Sequence, residues 1–92
     1  MDSKTLNVKF PLIKPMGYAD KETVADTLRS NGCGLIVLEE TVREEKKALM
    51  EYVSGAAYIL GLTLQPVSRD VILAAPEGNM ETEIPLFPEE EF

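Results

Sequence analysis

The sequence predicts an α/β chain of the α+β two-layer kind, with two helices packed on one face of a mixed four-stranded sheet in the order β-α-β-α-β-β. Three observations predict it. A period-two run opens the chain, helical patterns flank a short continuous apolar run, and two further apolar runs meet around Ser68-Arg69-Asp70. Ninety-two residues leave room for one core only. A domain this short buries a modest share of its surface, so a dimeric assembly is expected.

Thr5 to Ile13 reads as a strand, with Leu6, Val8, Phe10 and Leu12 alternating against Asn7, Lys9 and Pro11. Pro11 demands an edge position or a break, because proline has no N–H to give a ladder. A turn through Pro15 and Gly17 follows, and Asp20 is placed to cap a helix running to about Ser30. Val24, Ala25 and Leu28 form its buried stripe, and Asn31-Gly32 supplies residues that tolerate positive φ at its end. The unbroken apolar run Leu35 to Leu38 predicts a central strand covered on both faces. Thr41-Val42-Arg43-Glu44 matches a capping box, from which a helical pattern runs to Leu60 and stops at Gly61, about 28 Å of helix. Leu62 to Val67 and Val71 to Ala75 then read as a hairpin in which Pro66 again marks an edge or a bulge. The first β-α-β unit requires a right-handed crossover.

Composition divides the chain into a folded core over residues 1–76 and an acidic tail over 77–92. The tail holds Glu77, Glu81, Glu83, Glu89, Glu90 and Glu91 with no basic residue, and Pro85 and Pro88 exclude helix. It is expected to be extended and solvating. Ile84, Leu86 and Phe87 give it a short apolar insertion able to pack on the domain, on a neighbouring subunit or in a partner's grip.

The chemistry-bearing residues exclude more than they suggest. A net charge of −7 argues against nucleic acid, whose affinity comes largely from Lys and Arg neutralising phosphates. The nine basic residues are scattered; only Arg43, Lys46 and Lys47 cluster, and Glu44, Glu45 and Glu51 surround them. With no histidine, the commonest general base and metal ligand is missing. The single cysteine, Cys33, builds neither a disulfide nor a zinc site and fits a reducing cytoplasm. Nothing beside Cys33 in sequence supplies a base or an oxyanion hole, and it reads as a small residue at a strand entrance. Glu39-Glu40 and Glu44-Glu45 are adjacent, so their carboxylates point apart. Gly32-Cys33-Gly34 precedes a strand, whereas a phosphate-binding loop follows one. No catalytic, cofactor-binding or metal residues are predicted, and the chain reads as a non-enzyme without cofactors. No apolar run approaches the ~18 residues of a spanning helix, and no signal peptide opens the chain, so a cytoplasmic protein is expected.

The second helix carries the functional information. With Leu49 at its centre, a stripe of Val42, Val53, Ala56 and Leu60 is expected to face the sheet. Ala48, Tyr52, Gly55 and Ile59 form a second stripe to one side, and Met50 and Ala57 lie on the other flank. The apolar arc then spans about 220°, against the ~100° that packing on one layer requires. Glycine inside a helix costs ~1 kcal/mol relative to alanine, so Gly55 calls for a reason. Two reasons compete: close packing against the chain's own sheet or first helix, and a helix–helix contact between subunits. The second makes Ala48, Tyr52, Gly55 and Ile59 the self-association surface.

The run Glu51-Tyr52-Val53-Ser54-Gly55-Ala56-Ala57-Tyr58-Ile59-Leu60-Gly61, with a strand pair ending at Pro76, resembles the SepF family of cell-division proteins. Lys14 to Asp20 and the apolar strand Leu35–Leu38 fall where that family has equivalents, so the resemblance covers about Val8 to Pro76. It implies a self-associating homodimer, able to form higher polymers, that binds the C-terminal tail of FtsZ and helps to assemble or anchor the division ring. The resemblance makes Gly55 an assembly residue and gives Tyr58, Arg69 and Ile72 to the FtsZ peptide. It places the protein in the cytoplasm at the division site, on the inner face of the membrane. Three departures accompany it. Leu62 replaces a second glycine, Ile72 stands where an aromatic is usual, and Met1-Asp2-Ser3 leads into the first strand where relatives carry an amphipathic membrane helix. Either the chain is the core of a longer protein, or it does not itself touch membrane. The competing readings are a small dimeric regulatory or ligand-binding domain with a pocket at the dimer seam, and an Alba-like nucleic-acid-binding protein, which the acidic balance disfavours.

Overall fold

The structure, a computed structural model, describes residues 10–77. Residues 5–9 of the expected first strand, and the tail from residue 78 with its Ile84-to-Phe87 insertion, lie outside the described residues. The elements are β1 (Leu12–Ile13), α1 (Lys21–Asn31), β2 (Gly34–Val37), α2 (Lys46–Leu60), β3 (Leu62–Ser68) and β4 (Val71–Pro76). A 3-10 turn leads into each helix, at Tyr18–Asp20 and at Arg43–Glu45.

The four strands form one mixed sheet in the order β1-β2-β4-β3. β1 runs parallel to β2, while β4 runs antiparallel to both β2 and β3. The predicted hairpin therefore inserts its second strand into the sheet and leaves β3 at the edge. Pro66 lies on that edge, beside a register shift between Pro66 and Ser68, as its missing N–H requires. Pro11 precedes the other edge strand, where its carbonyl accepts the Leu35 N–H at 2.9 Å. Gly32 and Gly61 close the two helices at φ +76° and +77°, a conformation that glycine adopts without steric cost.

Register decides which side chains enter the core. Ile13, Ile36 and Ile72 lie in one row facing the helices, with Leu62, Leu64 and Ala74 on the same face. They meet Val24 and Leu28 of α1 and Leu49, Val53 and Ala57 of α2. Gly34 also points at the helices: a Cβ there would sit 2.9 Å from Leu28 Cδ2 and 3.0 Å from Ile13 Cδ1. The glycine lets α1 press onto β2.

Three expectations are corrected. β2 is central, but the helices cover one face only. Leu12, Leu35 and Leu73 form a row on the opposite face, where Leu12 is 59% exposed and the other two are half-buried. The capping box at Thr41 does not form. The Thr41 hydroxyl is buried and donates to the Pro15 carbonyl at 2.7 Å, and α2 begins five residues later at Lys46, so it is about 22 Å long. Asp20 occupies the cap position of α1 without capping it; its carboxylate accepts the Met16 N–H instead, at 2.8 Å.

Candidate protein-interaction surface

α2 presents two opposed faces. Its buried stripe is Leu49, Val53 and Ala57, with Met50 and Leu60 packed partly against the core. This stripe is turned from the expected one towards Ala57, and Val42 drops out because it precedes the helix and is exposed. The reason is the late helix start, which leaves Val42 outside the helical phase. Ala48, Tyr52, Gly55 and Ile59 fall within about 60° of one another on the outer face. All four are exposed. Tyr58, at 84% exposure, borders the stripe, and Ile59 within it is 82% exposed.

Gly55 distinguishes the two reasons offered for a helical glycine. Among the described residues, a Cβ built there meets nothing within 4 Å. Close packing against the chain's own sheet or first helix is therefore not what places glycine at this position. Lys47 and Glu51, also exposed, bring both signs of charge to the rim of the same face.

The upper part of this face is braced by α1. The Lys21 ammonium lies 4.3 Å from the Tyr18 ring centroid and 5.6 Å from that of Tyr52. Both distances are within the ~6 Å over which a ring face attracts a cation. The segment carrying Tyr18 is itself fastened to the start of α2. Thr41 reaches Pro15, the Val42 N–H donates to the Met16 carbonyl at 2.9 Å, and the Tyr18 N–H donates to Glu45 Oε1 at 2.8 Å. Gly17 leaves the space that the Glu45 carboxylate occupies. At the same end of α2, Lys46 Nζ pairs with Asp70 Oδ1 at 3.1 Å, and the Asp70 carbonyl accepts the Leu38 N–H at 2.7 Å.

Tyr58, Arg69 and Ile72 are not brought together. Tyr58 lies near the C-terminal end of α2, while Arg69 sits in the turn beside Asp70, whose partner Lys46 opens that helix. Twelve helical residues, about 18 Å, separate Tyr58 from Lys46. Ile72 faces the helices from β4 and packs against the core. Sequence reasoning passed over Lys21, Glu45 and Gly34. A signal for Lys21 was present, since Tyr18 precedes it by three residues, a spacing that brings helical side chains together. Glu45 carried no such signal, because its partner is 27 residues away.

A groove of about 310 Å³ lies between β1 and α1, lined by Leu12, Ile13 and Pro15 on one side and Thr23, Val24 and Thr27 on the other. None of Ala48, Tyr52, Gly55 and Ile59 lines it. The described residues hold no group of three or more His, Cys, Asp or Glu placed for a metal ion. Among them, no helix is long and apolar enough to cross a membrane.

Comparison with known proteins adds a family to this geometry. The family model described as Cell division protein SepF matches residues 11–79, from just before β1 to just beyond β4. Relatives of the name Cell division protein SepF include one from Desulfitobacterium hafniense, 32% identical over 77% of this chain and 47% of its own length. Another, from Finegoldia magna, is 30% identical over 85% of this chain and 49% of the relative. The Bacillus subtilis relative is 26% identical over 76% of this chain and 46% of its own. The chain thus spans about half the length of the curated relatives it matches.

Proposed function

We propose, from the premise that this chain belongs to the SepF family of cell-division proteins, that it is a non-enzymatic scaffold that pairs with a second copy through the outer face of α2. In this role it binds the C-terminal tail of FtsZ and helps to assemble or anchor the division ring from the cytoplasmic side. The observation that carries the pairing is Gly55. It lies inside a helix, where glycine costs ~1 kcal/mol, and no described residue comes within 4 Å of a Cβ placed on it. That cost is offset if a second helix backbone comes close. Ala48 and Gly55 leave a shallow path, Tyr52 and Ile59 supply apolar area, and Lys47 and Glu51 provide the charges of both signs that suit a self-complementary contact.

Two substitutions test this reading by sedimentation equilibrium. The unaltered chain should sediment at about twice its 10.2 kDa or more. Gly55→Lys should sediment as a monomer with its circular dichroism intact. Gly55→Ala should raise the thermal stability of the monomer by ~1 kcal/mol, because alanine is the better helix former and its Cβ has room, yet weaken association. An unchanged mass in Gly55→Lys removes the assembly role of that residue.

A further inference from the structure

We infer that Lys21 is a positioning residue for the α2 pairing surface, holding the Tyr52 ring beside the path along which a second copy's helix approaches. The inference rests on the pairing proposed above and assigns to α1 a part in it. Tyr52 lies on the outer face of α2, one turn after Ala48 and one turn before Gly55. A helical tyrosine has two favoured χ1 settings, both of which send the ring back over the preceding turn. One turn before Tyr52 lies Ala48, so an untethered ring can shade the small residues that make the surface shallow. In the structure the ring does not stand free. Tyr52 is only 37% exposed, against 84% for Tyr58 and 82% for Ile59 on the same helix face, and its ring lies within reach of the Lys21 ammonium.

Lys21 suits that task for two reasons. It is the first residue of α1, and its ammonium also lies over Tyr18, whose backbone N–H is held by Glu45 at the start of α2. The cation is therefore placed from both sides. No carboxylate forms an ion pair with it among the described residues, so the two rings are its partners there. The chain Glu45–Tyr18–Lys21–Tyr52 runs from the N-terminus of α2, across α1, and back to the middle of α2. It sets the side-chain position at the seam from within one protomer, before a second copy arrives. Such preorganisation strengthens association without adding a contact across the interface.

The test uses the full chain and three variants: Lys21→Met, Lys21→Arg and Tyr52→Leu. Methionine keeps the length and apolar stem while removing the charge, whereas arginine keeps a cation able to lie over both rings. The dimer dissociation constant from sedimentation equilibrium should rise about tenfold in Lys21→Met, as expected when the cost of immobilising the Tyr52 side chain falls on association, and return to within about threefold of the original in Lys21→Arg. Tyr52→Leu should weaken pairing at least as much, and adding Lys21→Met to it should have no further effect. Equal association in Lys21→Met and the unaltered chain overturns the positioning role, as does a Lys21→Arg variant as weak as Lys21→Met. If the unaltered chain is a monomer at every concentration, the pairing itself fails, and the role of Lys21 falls with it.

Discussion

Two glycines of this chain do opposite things, and a Cβ placed on each shows why. At Gly34 it crowds the terminal methyls of Leu28 and Ile13, at 2.9 and 3.0 Å, so a larger residue must displace buried side chains; at Gly55 it meets no described residue within 4 Å. Gly34→Val should therefore cost about 2–3 kcal/mol, since a core already filled accepts extra carbon only by shifting α1 off β2. A urea titration followed by circular dichroism measures this, and a midpoint unchanged from the original would show that the α1–β2 contact is slack. The packing role of Gly34 was only half legible. Glycine at a strand entrance does mark close backbone approach, but in the string Gly32-Cys33-Gly34 it reads equally well as a flexible loop. Asn31-Gly32 does read as a positive-φ helix end, as observed; what the string hides is that Gly34 lies under Leu28.

At the scale of elements, the start of α2 departs furthest from its sequence pattern. Thr41 and Glu44 have the spacing of a capping box, yet Thr41 and Glu45 both spend their side chains on the segment from Pro15 to Tyr18. Those partners lie 26 and 27 residues away in sequence. A local motif cannot reveal them, because capping rules compare only residues within one turn. The outcome is a joint between the connection preceding α1 and the connection preceding α2. Thr41→Val tests that joint: it preserves shape while leaving the Pro15 carbonyl without its donor. A loss of about 1–2 kcal/mol in unfolding free energy is expected. A loss near zero would mean that water replaces the hydroxyl and that the joint is held by the Met16–Val42 and Tyr18–Glu45 bonds alone.

For the whole molecule, periodicity located α1, β2 and the hairpin within a residue or two of their observed limits, and the end of α2 but not its start. Strand order was beyond its reach. Nothing in the alternation of Leu62 to Ala75 says that β4 enters between β2 and β3, because pairing depends on which faces find apolar neighbours after the helices have docked. Likewise the outer stripe of α2 was legible as surplus apolar surface, while Lys21 was not, since its rings come from separate elements. The proposed FtsZ interaction belongs to this scale too. Calorimetric titration with a peptide of the FtsZ C-terminal tail should show saturable binding, and Tyr58→Ala should weaken it by about tenfold or more, as truncating an exposed aromatic anchor does. No heat from the unaltered chain at high peptide concentration would leave a family member without that partner.

The directions of the strands carry one more consequence. β1 starts beside Leu35, near the beginning of β2, and β4 runs the other way and finishes past the same point, where Ala74 pairs with Gly34. Phe10 and Glu77 consequently leave the sheet at one pole, two strand spacings or about 10 Å apart. Sequence attached before this unit and sequence attached after it set out from neighbouring points, so both tethers pull on the same end. The opposite end holds the Arg69–Asp70 turn, which Asp70 fastens to the start of α2 through Lys46 and to Leu38 through its carbonyl.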